Sequence, residues 1–147
     1  MLITLYGPDS YRRLKKLNEI IEIYKEKHSG LSHERFDLSE DDSFFRFKDF
    51  IGTRSMFDST QLAILDNALE NSNKKELKEI LKKYQEEKDT TIVINLEKKP
   101  QTFKFLIEKP VQSQEYPALK DEKLLAFIKK VSDEHGLSLN AETQRAF

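Results

Sequence analysis

An apolar run, Leu2-Ile-Thr-Leu-Tyr6, leads into Gly7-Pro8-Asp9-Ser10-Tyr11-Arg12-Arg13 and then into a long helical pattern. In a nucleotide-binding α/β domain this corner reads G-x-x-x-x-G-K-[ST], because backbone N–H groups and a lysine must hold phosphates there. Here the second glycine and the lysine–hydroxyl pair are missing. The setting of an NTPase is present without its catalytic loop, which points to a partner-binding subunit rather than an enzyme. Leu62-Ala-Ile-Leu-Asp66-Asn67 resembles the strand that ends in a magnesium-binding acid, but such an acid acts on a phosphate-bound metal. Without the glycine–lysine loop Asp66 reads as a strand-end loop residue.

Other chemistry is sparse. His28, His33 and His135 lie far apart in no metal-ligand pattern and read as solvated surface residues. Glu40-Asp41-Asp42 reads as a loop whose charge favours the start of a helix. No nucleophile motif of the G-x-S-x-G kind occurs. Without cysteine, disulfides, thiolate catalysis and cysteine-ligated zinc are excluded. No residue is assigned as catalytic or metal-ligating, and no cofactor is expected. The lysine- and arginine-rich faces (Arg12, Arg13, Lys15, Lys16; Lys74, Lys75, Lys78, Lys82, Lys83) alternate with glutamates and read as solvated helix surface. Lys plus Arg (25) nearly cancels Asp plus Glu (26), so bulk charge makes no case for nucleic acid.

One apolar pair stands out. Met56 and Phe57 sit in a polar stretch of Gly52, Thr53, Arg54, Ser55, Asp58, Ser59 and Thr60. They are either anchors folded back on the core or a protruding plug. Residue chemistry alone favours the core, since exposed apolar pairs cost solubility unless a partner covers them.

The elements that must position these residues follow from periodicity. Leu2–Tyr6 reads as a buried strand. A helix capped by Asp9 or Ser10 runs to about His28 on Leu14, Leu17, Ile20, Ile21 and Tyr24, with Gly30 ending it. His33–Leu38 is a second strand. A short helix then buries Phe44, Phe47, Phe50 and Ile51 and stops at Gly52. Gln61–Asp66 is a third strand. Asn73 and Glu76 have capping-box spacing ahead of a helix on Leu77, Ile80, Leu81 and Tyr84. Thr90–Leu96 is a fourth strand, rich in β-branched residues. A short helix near Thr102–Glu108 and a polar fifth strand, Val111–Tyr116, complete the set. Strands separated by helices imply parallel pairing through right-handed crossovers. The expected fold is α/β with a five-stranded parallel sheet over residues 1–117. Residues 118–147 read as the beginning of a helical second domain, and their abrupt end as that of a fragment. At 147 residues with 37% hydrophobic content and no apolar run of ~18 residues, a soluble cytoplasmic protein is the default.

Taken in order, Leu5-Tyr6-Gly7-Pro8-Asp9-Ser10-Tyr11-Arg12, Glu34-Arg35-Phe36-Asp37, Ser55-Met56-Phe57 ahead of Leu62-Ala63-Ile64-Leu65, Thr91-Ile92-Val93-Ile94 with Lys98-Lys99, and Glu115-Tyr116-Pro117-Ala118-Leu119-Lys120 resemble the N-terminal part of the delta subunit of bacterial DNA polymerase III. That family belongs to the clamp loader. The resemblance implies an AAA+-like three-layer first domain that does not bind ATP, followed by the start of a helical lid, with no collar. It implies a subunit that binds and helps open the β sliding clamp during DNA replication, without catalysis of its own although the holoenzyme is a DNA polymerase. Its partners would be the clamp, the tau/gamma and delta prime subunits, and DNA only indirectly. Family members insert two apolar side chains of a Ser-Leu-Phe-like segment into a clamp pocket. Met56 takes the leucine's place and Phe57 the phenylalanine's, so the resemblance turns the pair outward, with Arg54, Ser55 and Asp58 as a polar rim. Tyr11, Arg12 and Arg13 are possible further contacts. The alternatives are a nucleotide-dependent α/β enzyme with a non-standard phosphate loop at Gly7–Tyr11, and an α/β scaffold for another partner.

Overall fold

The computed structural model describes residues 1–53 and 60–118, together with Ala126 and residues 128–130. The chain divides into two compact units, Met1–Tyr116 and Pro117–Phe147. In the second, Ala126 and residues 128–130 are helical.

The first unit runs β1 (Leu2–Tyr6), α1 (Ser10–Lys27), β2 (Leu31–Asp37), α2 (Ser43–Gly52), β3 (Thr60–Asp66), α3 (Lys74–Lys83), β4 (Thr90–Leu96) and β5 (Gln112–Glu115). Short 3-10 turns occupy Ala68–Glu70 and Lys104–Ile107. The strands form one sheet in the order β2-β3-β4-β1-β5, with every pairing parallel. The five parallel strands expected from the alternating pattern are all present.

Central strands β3 and β4 are apolar on both faces because helices cover both sides. Leu62, Ile64 and Val93 face α1, where they meet Leu17 and Ile20. Ala63, Leu65, Ile92 and Ile94 face the other way, into a larger core with Phe44, Phe47 and Ile51 of α2 and Leu77 and Leu81 of α3. Edge strand β5 is exposed and polar throughout, and β2 exposes His33, Glu34 and Arg35 at its middle, which blunts the open edges.

Several local expectations are corrected. The stripe on α1 is narrower than its spacing suggested: Leu14 is 45% exposed, while Arg13, read as surface, is 4% exposed. The helix ends at Lys27 with His28 extended, so Gly30 lies beyond its cap. Asn73 makes no side-chain cap bond; its N–H donates to Asn71 Oδ1 (2.8 Å), and Glu76 pairs instead with Lys48 of α2 (2.8 Å). The helix near 102–108 is one 3-10 turn, and β5 is only four residues long. His28 is not purely a surface group, since its Nδ1 lies 3.3 Å from Thr60 Oγ1 and its ring 5.4 Å from that of Tyr24.

The α3–β4 loop is tied to β1 through the Met1 ammonium, which donates to the carbonyls of Tyr84 (2.7 Å), Glu87 (2.6 Å) and Thr90 (2.8 Å). Joining any residue to Met1 replaces three N–H donors by one. Two carbonyls then lose their donor, and urea unfolding is expected to report a loss of about 1–2 kcal/mol. An unchanged midpoint in a chain extended by a Gly-Ser pair would show these bonds to be dispensable.

Candidate functional site

Parallel register decides what meets at the carboxyl ends of the strands. Asp37 stands opposite Asp66, and Asp66 opposite Asn95, so three polar side chains end neighbouring strands on the α1 side of the sheet. Two residues earlier on β2 and on the same face, Arg35 reaches Asp66 with two donors, Nε and Nη2, the latter at 2.9 Å. Asn95 Nδ2 donates to Asp66 Oδ1 (2.8 Å), and Arg13 of α1 donates to Asn95 Oδ1 (2.5 Å). Asp37 Oδ1 accepts from the Ser39 hydroxyl (2.6 Å), the Asn67 amide (2.9 Å) and the Ser39 N–H (3.0 Å). Those bonds, the Ser39 hydroxyl first, hold the Asp37 carboxyl below the usual carboxylate range. The hydrogen bond to Asp66 likewise raises the Arg35 guanidinium.

Asp66 is therefore the last residue of β3 and already carries a cation, rather than a residue of the following loop. Asn67 beside it adopts a left-handed conformation (φ 54°) that asparagine tolerates. The cleft here is lined by Ser10, Arg13, Arg35, Asp66 and Asn95 among others. No group of three or more His, Cys, Asp or Glu side chains is arranged to hold a metal among the described residues.

The corner after β1 is closed by its own bonds. Gly7 N–H donates to Leu96 O (3.1 Å), Asp9 N–H to Tyr116 O (3.2 Å), Ser10 N–H to Pro8 O (3.0 Å) and Arg13 N–H to Asp9 O (3.1 Å). Arg12 N–H donates to Asp9 Oδ1 (3.1 Å), and Pro8 has no N–H to offer. Asp9 thus caps α1 as its residue type suggested, and its other oxygen pairs with Arg12 Nε at 2.6 Å. A carboxylate occupies the helix N-terminus, the place where a phosphate would gain most from the dipole. Gly7 adopts φ +124°, and the Tyr116 backbone occupies the space that a Cβ at this position would need. The Arg12 guanidinium lies 5.7 Å from the centre of the Tyr116 ring. Burial pushes the Tyr116 phenol up, Glu19 adds to this, and Arg12 opposes it.

The sequence-assigned contact residues divide as follows. Arg54, Ser55, Met56, Phe57 and Asp58 lie outside the described residues. The residues flanking them are held firmly. The Gln61 amide donates to Phe50 O (2.8 Å) and Thr53 O (3.2 Å), and Thr53 N–H donates to Asp49 O (2.9 Å). Gln61, at 2% exposure, closes the end of α2 from the second residue of β3. Tyr11 is 40% exposed on the first turn of α1, Arg12 packs on Tyr116, and Arg13 turns inward to Asn95. The roles of Arg13, Arg35, Asn95 and Gln61 were missed from the sequence. A polar residue two positions before a strand-ending acid was the signal for Arg35; nothing in the linear pattern marked Gln61.

No family model and no curated protein sequence matches the chain. Solved structures do. The Bacillus subtilis DNA clamp loader delta protein (YqeN) superposes with a TM-score of 0.58 at 19% identity, covering 99% of this chain and 46% of its own. Drosophila ORC bound to DNA gives 0.57 at 11% identity, covering 90% of this chain and 42% of its own. The chain spans less than half the length of either neighbour. At these identities the likeness is one of fold: an α/β domain with a five-stranded parallel sheet.

Proposed function

We propose that this chain is the N-terminal part of a clamp-loader delta subunit, which binds the β sliding clamp and helps to open it for replication. The observation that carries the reading is the closed corner at Gly7–Arg13. The N–H groups of Gly7, Asp9, Ser10, Arg12 and Arg13 are bonded internally and Asp9 caps α1, which supports an AAA+-like fold used without a phosphate cradle. The likeness to a clamp loader delta protein and to a DNA-bound ORC supports a place in replication.

In this reading residues 1–117 form the clamp-binding domain and 118–147 begin the lid. Met56 and Phe57 enter an apolar clamp pocket, where burial of two such side chains gives roughly 3–6 kcal/mol gross at ~1.5–3 each. Methionine in place of leucine keeps the volume and adds flexibility. Arg54, Ser55 and Asp58 form the rim; Tyr11 and Arg12 begin α1 at the carboxyl edge of the sheet, opposite the edge where β3 starts, and would make a separate clamp contact, while Arg13 steadies α1 from within. Opening follows only if the bound surface fits the open ring better than the closed one. ATP would act in the tau/gamma partners, with delta prime completing the loader. No cofactor or covalent step belongs to this chain. No helix among the described residues is long and apolar enough to cross a membrane.

Binding of purified β clamp to the immobilised chain, followed by surface plasmon resonance, tests the proposal; absence of binding by a folded chain rejects it. Nucleotide dependence is tested separately. Tight binding at 100 times Kd adds about 2.7 kcal/mol, or roughly 5–10 °C in Tm for a chain of this size. Mg·ATP at millimolar concentration is expected to move Tm by less than about 1 °C, whereas a shift of several degrees would favour the nucleotide-dependent alternative.

A further inference from the structure

The polar groups at the carboxyl edge of the sheet form a continuous chain that the proposed clamp surface does not use. Arg35 on β2 grips Asp66 on β3; Asp66 accepts from Asn95 on β4; Asn95 accepts from Arg13 on α1. The central amide has only one workable orientation. Its oxygen faces a guanidinium and its NH2 group faces a carboxylate, and a flip would place like charge against like at both ends. Each end therefore polarises the amide for the other.

The two ends of the chain are otherwise modestly held. β2 is an edge strand with β3 as its one neighbour in the sheet, and three consecutive residues, His33, Glu34 and Arg35, are exposed. α1 is an 18-residue helix with only Arg13, Leu17 and Ile20 buried. Arg13 is 4% exposed and its Nε has no hydrogen-bond partner among the described residues, so the bond from Nη1 to Asn95 is one this buried cation can ill spare. In open α/β sheets a ligand ordinarily bridges the strand ends and the first helix at this edge.

We propose that Arg13-Asn95-Asp66-Arg35 is a ligand-independent lock that makes α1 and the edge strand β2 one cooperative unit. Loss of Arg35 frees the Asp66 carboxylate to turn toward water. Asn95 then loses the anion that orients it, and Arg13 weakens although it lies on a different element. Removal of Arg13 relaxes the Arg35 contact by the same route.

A double-mutant cycle on Arg13→Gln and Arg35→Gln, read by urea unfolding of the whole chain, tests the lock. The folding constant of the double variant is expected to exceed the product of the two single effects by about threefold or more. In an Asn95→Ala background the same cycle should fall below about 1.5-fold. Independent effects with Asn95 present, or coupling that survives its removal, would each overturn the proposal. Should Arg13→Gln fail to fold, amide exchange in Arg35→Lys serves instead, since lysine keeps the charge but not the fork. Exchange in the first two turns of α1 should then rise at least about threefold relative to α3, a remote internal reference. Faster exchange confined to β2 would refute the coupling.

Discussion

A chain carrying Met56→Ala and Phe57→Ala together is expected to lose at least about 30-fold in affinity for the β sliding clamp, the ~2 kcal/mol that marks removal of an interface hot spot. The loss should appear mainly as faster dissociation, because apolar anchors act after the encounter rather than during it. In the plug reading folding should be intact, since a pair that stands outward to meet the clamp adds nothing to the stability of the free chain. Surface plasmon resonance against purified clamp gives the affinity, and urea unfolding of the same sample gives the stability. Equal affinity in a folded double variant would discard the plug assignment. Loss of stability by several kcal/mol would instead place the pair inside the molecule, as residue chemistry alone suggested. Gln61→Leu supplies a third arm: it removes the bonds that hold the end of α2 beside the segment while leaving Met56 and Phe57 themselves unchanged.

How far the sequence could be read depended on the range of the interaction involved. Strands β3 and β4 were legible because their apolar runs reflect burial on both faces, a property of every residue in them. The Asp9 cap was legible because a carboxylate reaching the N–H of Arg12 is a contact three residues long. Failures came where a distant residue outbid the local one. The capping box of Asn73 and Glu76 does not form because Asn71 takes the N–H and Lys48, on another helix, takes the carboxylate. Arg13 looked like one of a run of surface cations, and only the register of β3 with β4 reveals the amide that draws it inward. Asp66 was read as a loop residue at a strand end; it is the last residue of β3, and its cation comes from β2, whose pairing no linear spacing specifies. The missing phosphate loop was visible in the missing residues. That the corner is also sealed from within required the long-range approach of Tyr116.

That approach leads to the second large effect. Gly7→Ala is expected to destabilise the domain by about 2–6 kcal/mol, combining ~1–3 for a strained backbone with ~1–3 for overpacking. A Cβ at this position would lie 2.2 Å from the Tyr116 carbonyl oxygen, 2.6 Å from its carbon and 2.9 Å from its nitrogen, all backbone atoms that no rotamer change can move aside. The φ of +124° adds strain for any residue with a side chain. Relief requires moving Tyr116, whose N–H donates to Tyr6 O at 2.7 Å and whose carbonyl accepts from Asp9 at 3.2 Å. The end of β5 and the cap of α1 should therefore lose amide protection together. Gly52→Ala is the internal control. It lies at the end of α2 with nothing within 4 Å of a new Cβ, so up to about 1 kcal/mol of stabilisation is expected from helix propensity. Opposite signs at the two glycines, read from urea midpoints, would mean that Gly7 serves the approach of a neighbouring backbone. A Gly7→Ala protein of unchanged stability would mean that Tyr116 does not close the corner, and the case for a domain without a phosphate cradle would lose its main physical support.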